Sequence, residues 1–200
     1  NTMLRPITIF CSIMLIAAPA AIAQADFSET VTFGDSLTHN DLLWLVYGTP
    51  ADLHGQDPTQ AVFSQGSAPG NQLTSYAVGG SESTDVKDQI DLYFFARFIQ
   101  TQGMATIFNF EIGGNDVLNS IGLLAANPPG SDPSADAVID GIVYNMKRSL
   151  YRLRINHTSA QFVVWTLPDV TVTPEQWNLN PTQKANVKAH LDRINRKIRV

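Results

Sequence analysis

The sequence is poor in residues that many functions depend on. It has one cysteine, Cys11, in 200 residues. That excludes a disulfide framework and any zinc site built on thiolates. Charged residues make up only 16%, with 18 acidic against 13 basic. No basic stripe interleaved with aromatics runs along the chain, which argues against a nucleic acid partner. A Gly-x-x-x-x-Gly-Lys phosphate loop is missing too, which argues against a nucleotide binder. There is no internal repeat and no low-complexity segment. Histidine is scarce: His39, His54, His157 and His190 are the full set, and none has an aspartate three residues before it.

Long apolar runs are also missing, with one partial exception at the N-terminus. Ile7 to Ala18 is apolar apart from Thr8 and Ser12, and it follows Arg5. Small-residue triplets, Ala21-Ile22-Ala23 and Ala23-Gln24-Ala25, come next. That layout predicts a secretory signal peptide over residues 1–25. The run falls short of the roughly 20 apolar residues that a transmembrane helix needs. The expectation is a secreted or periplasmic protein with no stable membrane span once the signal is cleaved. Cys11 leaves with the signal, and Thr8-Ile9-Phe10 before it does not look like a lipid-attachment site. Loss of Arg5 takes the net charge from −5 to −6. A secreted chain without disulfides suits a bacterial exported enzyme better than a small stapled domain. Residues 26–200 are expected to form one domain, and a 44% hydrophobic content is enough for a real core.

What is present is an alternation of short apolar runs and longer periodic segments. Strands are expected at Thr30–Phe33, Leu73–Val78, Met104–Ile112 and Gln161–Leu167. The third is almost continuously apolar, as a strand buried on both faces should be. Between them lie expected helices. The first is capped by Asn40, stops at Gly48 and carries Leu42, Leu43, Leu45 and Val46. A loop rich in glycine, proline and glutamine follows over residues 48–71. The second helix, Thr84–Gln102, has Val86, Ile90, Phe94 and Phe98 as its apolar stripe, with its aromatics in the core. The third, Ser134–Asn156, buries Val138, Ile142, Met146, Leu150 and Leu153 after a loop at Asn127–Pro133. The last begins at Pro181, with Asn180 and Gln183 forming a capping box and a stripe of Val187, Leu191, Ile194 and Ile198. Its terminal arginines and lysines read as a solvated face. Strands alternating with helices predict α/β architecture: three layers, α/β/α, around a mostly parallel, flavodoxin-like sheet.

The chemistry concentrates at three strand ends. Each of the first three strands runs into a glycine turn with a polar tip: Gly34-Asp35-Ser36, Gly79-Gly80-Ser81 and Gly113-Gly114-Asn115-Asp116. In a parallel sheet these turns share one edge, the edge where open α/β sheets place their ligands. A hydroxyl nucleophile, a glycine N–H and an asparagine amide then converge. Acyl transfer needs that set, because an attacking oxygen creates an oxyanion that preorganised donors must stabilise. Without those neighbours, Ser36 is equally readable as a helix cap.

Phe33-Gly34-Asp35-Ser36-Leu37 resembles the first block of the GDSL, or SGNH, hydrolases. Tyr76-Ala77-Val78-Gly79-Gly80-Ser81 is similar to the second block and Ile112-Gly113-Gly114-Asn115-Asp116 to the third. Leu167-Pro168-Asp169 after the fourth strand also looks like the family, and the resemblance spans roughly residues 30 to 200. The stretch Gly34-Asp35-Ser36-Leu37-Thr38 lacks the second glycine of the Gly-x-Ser-x-Gly elbow of α/β-hydrolases. The resemblance implies the SGNH fold and a lipase- or esterase-type hydrolase that cleaves acyl esters without metal or cofactor. It implies Ser36 as nucleophile, with an oxyanion hole formed by the Ser36 N–H, the Gly80 N–H and the Asn115 side chain. Asp35 and Asp116 are expected to hold the turns. The substrate is a small-molecule, lipid or carbohydrate ester.

One family block has no counterpart. Asp-x-x-His, which supplies the general base and its orienting acid, is not found in the 200 residues. The expectation is that both lie beyond residue 200 and that this stretch alone is nearly inactive. His39, three residues after Ser36, is read as shaping the pocket, and all four histidines as surface or supporting residues. The alternative function is a catalytically dead protein of the same fold that binds an acyl or glycan ligand.

Overall fold

The computed structural model describes residues 25–38 and 69–199. Nearly all of the predicted signal peptide, Cys11, the expected Asn40–Gly48 helix, most of the 48–71 loop, His39 and His54 lie outside the described residues. Four strands are present, β1 (Glu29–Gly34), β2 (Gln72–Ser75), β3 (Ile107–Glu111) and β4 (Gln161–Val164). All pair in parallel, in the order β2-β1-β3-β4. The helices are α1 (Val86–Phe98), α2 (Gly114–Asn119), α3 (Ile121–Ala126), α4 (Pro133–Asn156) and α5 (Pro181–Ile198). Two 3-10 turns, Val170–Val172 and Pro174–Gln176, link β4 to α5.

The strand order has a consequence for the site. The chain leaves β1 for β2 on one side and returns to add β3 on the other. The crevice between β1 and β3 is thus the topological switch point, where such sheets leave room for a ligand beyond the strand ends.

The two central strands present unlike faces. Register pairs Val31 with Phe108 and Phe33 with Phe110, so these four share a face. That face packs on α1 through Tyr93, in one core cluster with Ile90, Met146 and Leu153. Tyr93 sits edge-on to Phe33 at 5.8 Å and to Phe108 at 5.6 Å, a favoured aromatic geometry. The opposite face carries Thr30, Thr32, Asn109 and Glu111, all buried. Trp165 reaches across to it, its indole N–H donating to Asn109 Oδ1 at 2.6 Å.

Several elements differ from expectation. β2 ends at Ser75 rather than Val78, yet its hydrogen bonding to β1 continues. Tyr76 N–H donates to Thr32 O at 2.8 Å and Val78 N–H to Gly34 O at 3.1 Å. α1 stops at Phe98, with Gln100 at φ 60° just beyond it. Its buried residues are Val86, Gln89, Ile90 and Tyr93, while Phe98 is 84% exposed. A strict four-residue repeat advances about 40° per step past a full turn, so the stripe rotates off the core before it reaches Phe98. α2 and α3 occupy a stretch for which the sequence suggests only a turn and a connection. Asp132 caps α4, its carboxylate accepting from Ser134 N–H at 2.7 Å and Ala135 N–H at 3.1 Å. The α5 capping box forms as expected, with Gln183 N–H on Asn180 Oδ1 at 3.0 Å and Asn180 N–H on Gln183 Oε1 at 2.9 Å. Its cations are only partly a solvated face, since Arg193 and Lys197 bind Asp136 and Asp140 on α4.

Candidate active site

Gly34 closes β1, and the backbone dictates a glycine there. A Cβ on Gly34 would lie 2.1 Å from the Glu111 carbonyl oxygen and 2.2 Å from Thr38 Oγ1. The turn that follows exposes Ser36 and buries Asp35 and Thr38. Asp35 organises that turn: its Oδ1 accepts from Leu37 N–H at 3.0 Å, and its carbonyl accepts from Thr38 N–H at 3.2 Å. A buried carboxylate doing this work holds the Ser36 turn from within.

The second turn runs from Val78 to Ser81, closed by Ser81 N–H on Val78 O at 3.1 Å. Gly80 stands at its third position with φ 81°, a conformation that glycine supplies without steric cost. The third turn passes from β3 into α2. Asn115 donates through Nδ2 to Ser81 O at 2.9 Å and to Asp35 Oδ2 at 3.3 Å. The three turns are thus hydrogen-bonded to one another at the β1/β3 switch point. Asp116 faces away from Asp35: its two oxygens accept from Ser83 N–H at 2.8 Å and Ser83 Oγ at 2.7 Å, and Asn145 braces Ser83 at 3.1 Å. Asp35 and Asp116 both hold turns, as their positions in the sequence suggest.

Two residues of the site were not singled out from the sequence. Gln89 on α1 clamps Gly34, accepting its N–H at 2.9 Å and donating to its carbonyl at 2.8 Å, and also reaches Ser81 Oγ at 3.2 Å. One buried amide therefore ties the Ser36 turn to the Gly80 turn. The signal was a polar residue beside Ile90 on the buried side of α1. Glu111 is the second: it ends β3, pairs with Gly34 in register and is 4% exposed. Its signal was a lone charge within the apolar run of β3. Burial, then the neighbouring Asp35 charge, push the Glu111 carboxyl up to about 8. Burial also raises Asp35 and Asp116, against the hydrogen bonds that lower them.

Neither described histidine serves Ser36, and neither is at the surface. His157 is 2% exposed and packs on Phe108 at 4.9 Å, where α4 leads into β4. That is the edge opposite the glycine turns. Its Nε2 faces the Tyr93 hydroxyl at 3.2 Å and Arg97 Nη1 at 3.3 Å. Burial, with the Arg97 cation, lowers it to about 4, so it is neutral at physiological pH. His190 is fully buried, and its Nε2–H donates to Asn127 O at 2.8 Å.

Beside Gly80 lies a cavity of about 430 Å³, walled by Tyr76, Val78, Gly79, Ser81, Gln89 and Leu92. Among the described residues, no group of three or more His, Cys, Asp or Glu could hold a metal. No helix among them is long and apolar enough to cross a membrane.

The sequence matches no protein-family model and no curated protein. Among solved structures it is similar to an extracellular lipase from Streptomyces rimosus, at 17% identity and a TM-score of 0.48, with 85% of this chain and 74% of that one covered. It is also similar to phospholipase A1 from Streptomyces albidoflavus NA297, at 16% identity and a TM-score of 0.50, covering 86% and 74%. The likeness to the phospholipase is one of fold. With the parallel sheet and its helices, it identifies the architecture as a three-layer α/β/α fold.

Proposed function

We propose that this chain is a serine ester hydrolase of the GDSL, or SGNH, type. One observation carries the reading: an exposed serine at the switch point of a parallel sheet, in a turn hydrogen-bonded to two further glycine turns that bring oxyanion donors. Ser36 Oγ attacks the ester carbonyl, and the carbonyl oxygen becomes an oxyanion held by the Ser36 N–H, the Gly80 N–H and Asn115 Nδ2. Collapse expels the alcohol and leaves an acyl group on Ser36, which water then removes as the acid. The serine proton goes to a general base, which we place outside the described residues. Tyr76, Val78 and Leu92 line an apolar wall beside Gly80, suited to an acyl or alkyl group. The substrate we favour is therefore a lipid-like or other apolar ester, and the likeness in fold to a phospholipase A1 agrees with that choice. Residues 1–25 are assigned as a signal for export, with 26–200 as the hydrolase domain.

One observation favours a second reading, a ligand-binding protein without turnover. Both Nδ2 hydrogens of Asn115 are engaged, by Ser81 O and Asp35, so one contact must yield before Asn115 meets an oxyanion. Ester hydrolysis by the full-length protein separates the two readings. On aryl esters of graded chain length, Ser36→Ala abolishes turnover and Asn115→Ala lowers it by roughly 100- to 1,000-fold. Wild-type protein that binds these esters without cleaving them supports the second reading.

A further inference from the structure

Two acidic side chains meet beneath the nucleophile turn. Asp35 follows the end of β1 and Glu111 ends β3, with Gly34 and Glu111 paired in register. They are 2% and 4% exposed. Neither Glu111 oxygen receives an N–H or O–H from any described residue. The acidic neighbour of Glu111 is the Asp35 carboxyl, one residue beyond its register partner Gly34 and an acceptor like itself. Two ionised carboxylates in contact, out of water, repel strongly, and a hydrogen bond between them requires a proton on one.

The partners on each side decide where that proton sits. Asp35 already accepts from Leu37 N–H and Asn115 Nδ2, and both contacts favour the ionised form. Glu111 accepts nothing from the described residues. The proton therefore belongs to Glu111, and its O–H points at Asp35. No cation answers the pair among the described residues. Asp116 on α2 is engaged with Ser83, and Trp165, just after β4, with Asn109.

We propose that Glu111 is a positioning residue of the site: as a neutral acid it donates its proton to Asp35, and so holds the Asp35 carboxylate where it grips both the Ser36 turn and the Asn115 amide. The chain of contacts runs from Glu111 to Asp35, then to Leu37 N–H on one oxygen and Asn115 on the other. It keeps a single negative charge in the pair, where a second would oppose an oxyanion forming at Asn115. That purpose rests on the ester-hydrolase reading, whereas the shared proton does not.

The shift of Glu111 to about 8 agrees with this placement and sets where the proton leaves. The test uses full-length wild type, Glu111→Gln and Glu111→Leu. Infrared difference spectroscopy reads the carboxylic-acid C=O band, and NMR reads hydrogen exchange of the Asn115 side-chain amide. Wild type shows an acid band at neutral pH that fades as pH passes about 8 and is missing from Glu111→Gln. Glutamine still donates to Asp35, so Asn115 exchange stays within about twofold of wild type, while leucine speeds it by at least about tenfold. Wild type without the acid band overturns the proposal. So does a Glu111→Gln protein in which Asn115 exchanges as fast as in Glu111→Leu. An organophosphonate is tried on the same samples. If wild-type Ser36 stays unlabelled while the band and the exchange pattern hold, the hydrolase reading fails and the carboxyl pair stands.

Discussion

At the scale of single residues, the site is held by buried polar groups with matched partners. Gln89 is the clearest case. It serves Gly34 as a neighbouring strand would, one acceptor and one donor at 2.9 and 2.8 Å, and keeps a hydrogen left over for Ser81. Gln89→Leu preserves the bulk, strands the Gly34 N–H at a buried position and leaves the Gly34 C=O with Val78 N–H alone. The expected loss is about 2 kcal/mol in denaturant unfolding, and on the proposed function a larger fractional loss of ester hydrolysis, because the Ser36 turn is what moves. Unchanged stability on that substitution would mean that Gly34 is held by something else. The turns that carry Ser36, Gly80 and Asn115 are legible in the sequence because each has a recognisable glycine pattern. The sequence does not show Gln89 or Glu111, whose partners are far along the chain. Only the register of β1 with β3, and the seating of α1 on the sheet, bring them together.

At the scale of elements, legibility follows length and local chemistry. α4 and α5 span 24 and 18 residues, so their periodicity repeats often enough to read, and their caps are spelled out locally. α2 and α3 have six residues each, less than two turns, which leaves no period to detect. In α1 the difference is one of phase: the periodicity predicts the helix but puts Phe98 in the core, and the structure exposes it. The burial of His157 and His190 was not readable either, since a histidine looks alike in sequence whether it faces solvent or a packed ring. The α5 cap gives a test at this scale. Asn180→Ala removes the acceptor for Gln183 N–H and should cost about 1 kcal/mol. Thermal unfolding then shifts down by roughly 2–4 °C. The helix lies remote from the glycine turns in sequence and packs on α3 and α4, so hydrolysis at ambient temperature is expected to be unaffected.

At the scale of the whole molecule, two buried groups pull stability in opposite directions with pH. Glu111 binds its proton more tightly when folded, so its contribution is complete below about 4.5 and is lost as pH rises toward about 8. His157 is held neutral, lowered from 6.5 to about 4, so its contribution is complete above 6.5 and is lost as pH falls toward about 4. The two oppose each other in the acid range, and from pH 6.5 to about 8 the Glu111 effect remains. Unfolding free energy should therefore decline across that window in wild type and decline less in Glu111→Gln. Parallel curves for the two proteins would show that Glu111 does not carry the proton.

The central claim is that Ser36 is a nucleophile served by oxyanion donors from the Gly80 and Asn115 turns. The most direct measurement is the mass of the full-length protein after reaction with a fluorophosphonate, followed by mapping of the modified peptide. The expected result is a single adduct on Ser36, missing from Ser36→Ala and formed at least about tenfold more slowly by Asn115→Ala. A protein that takes up no label, or takes it at another residue while Ser36 stays free, contradicts the claim.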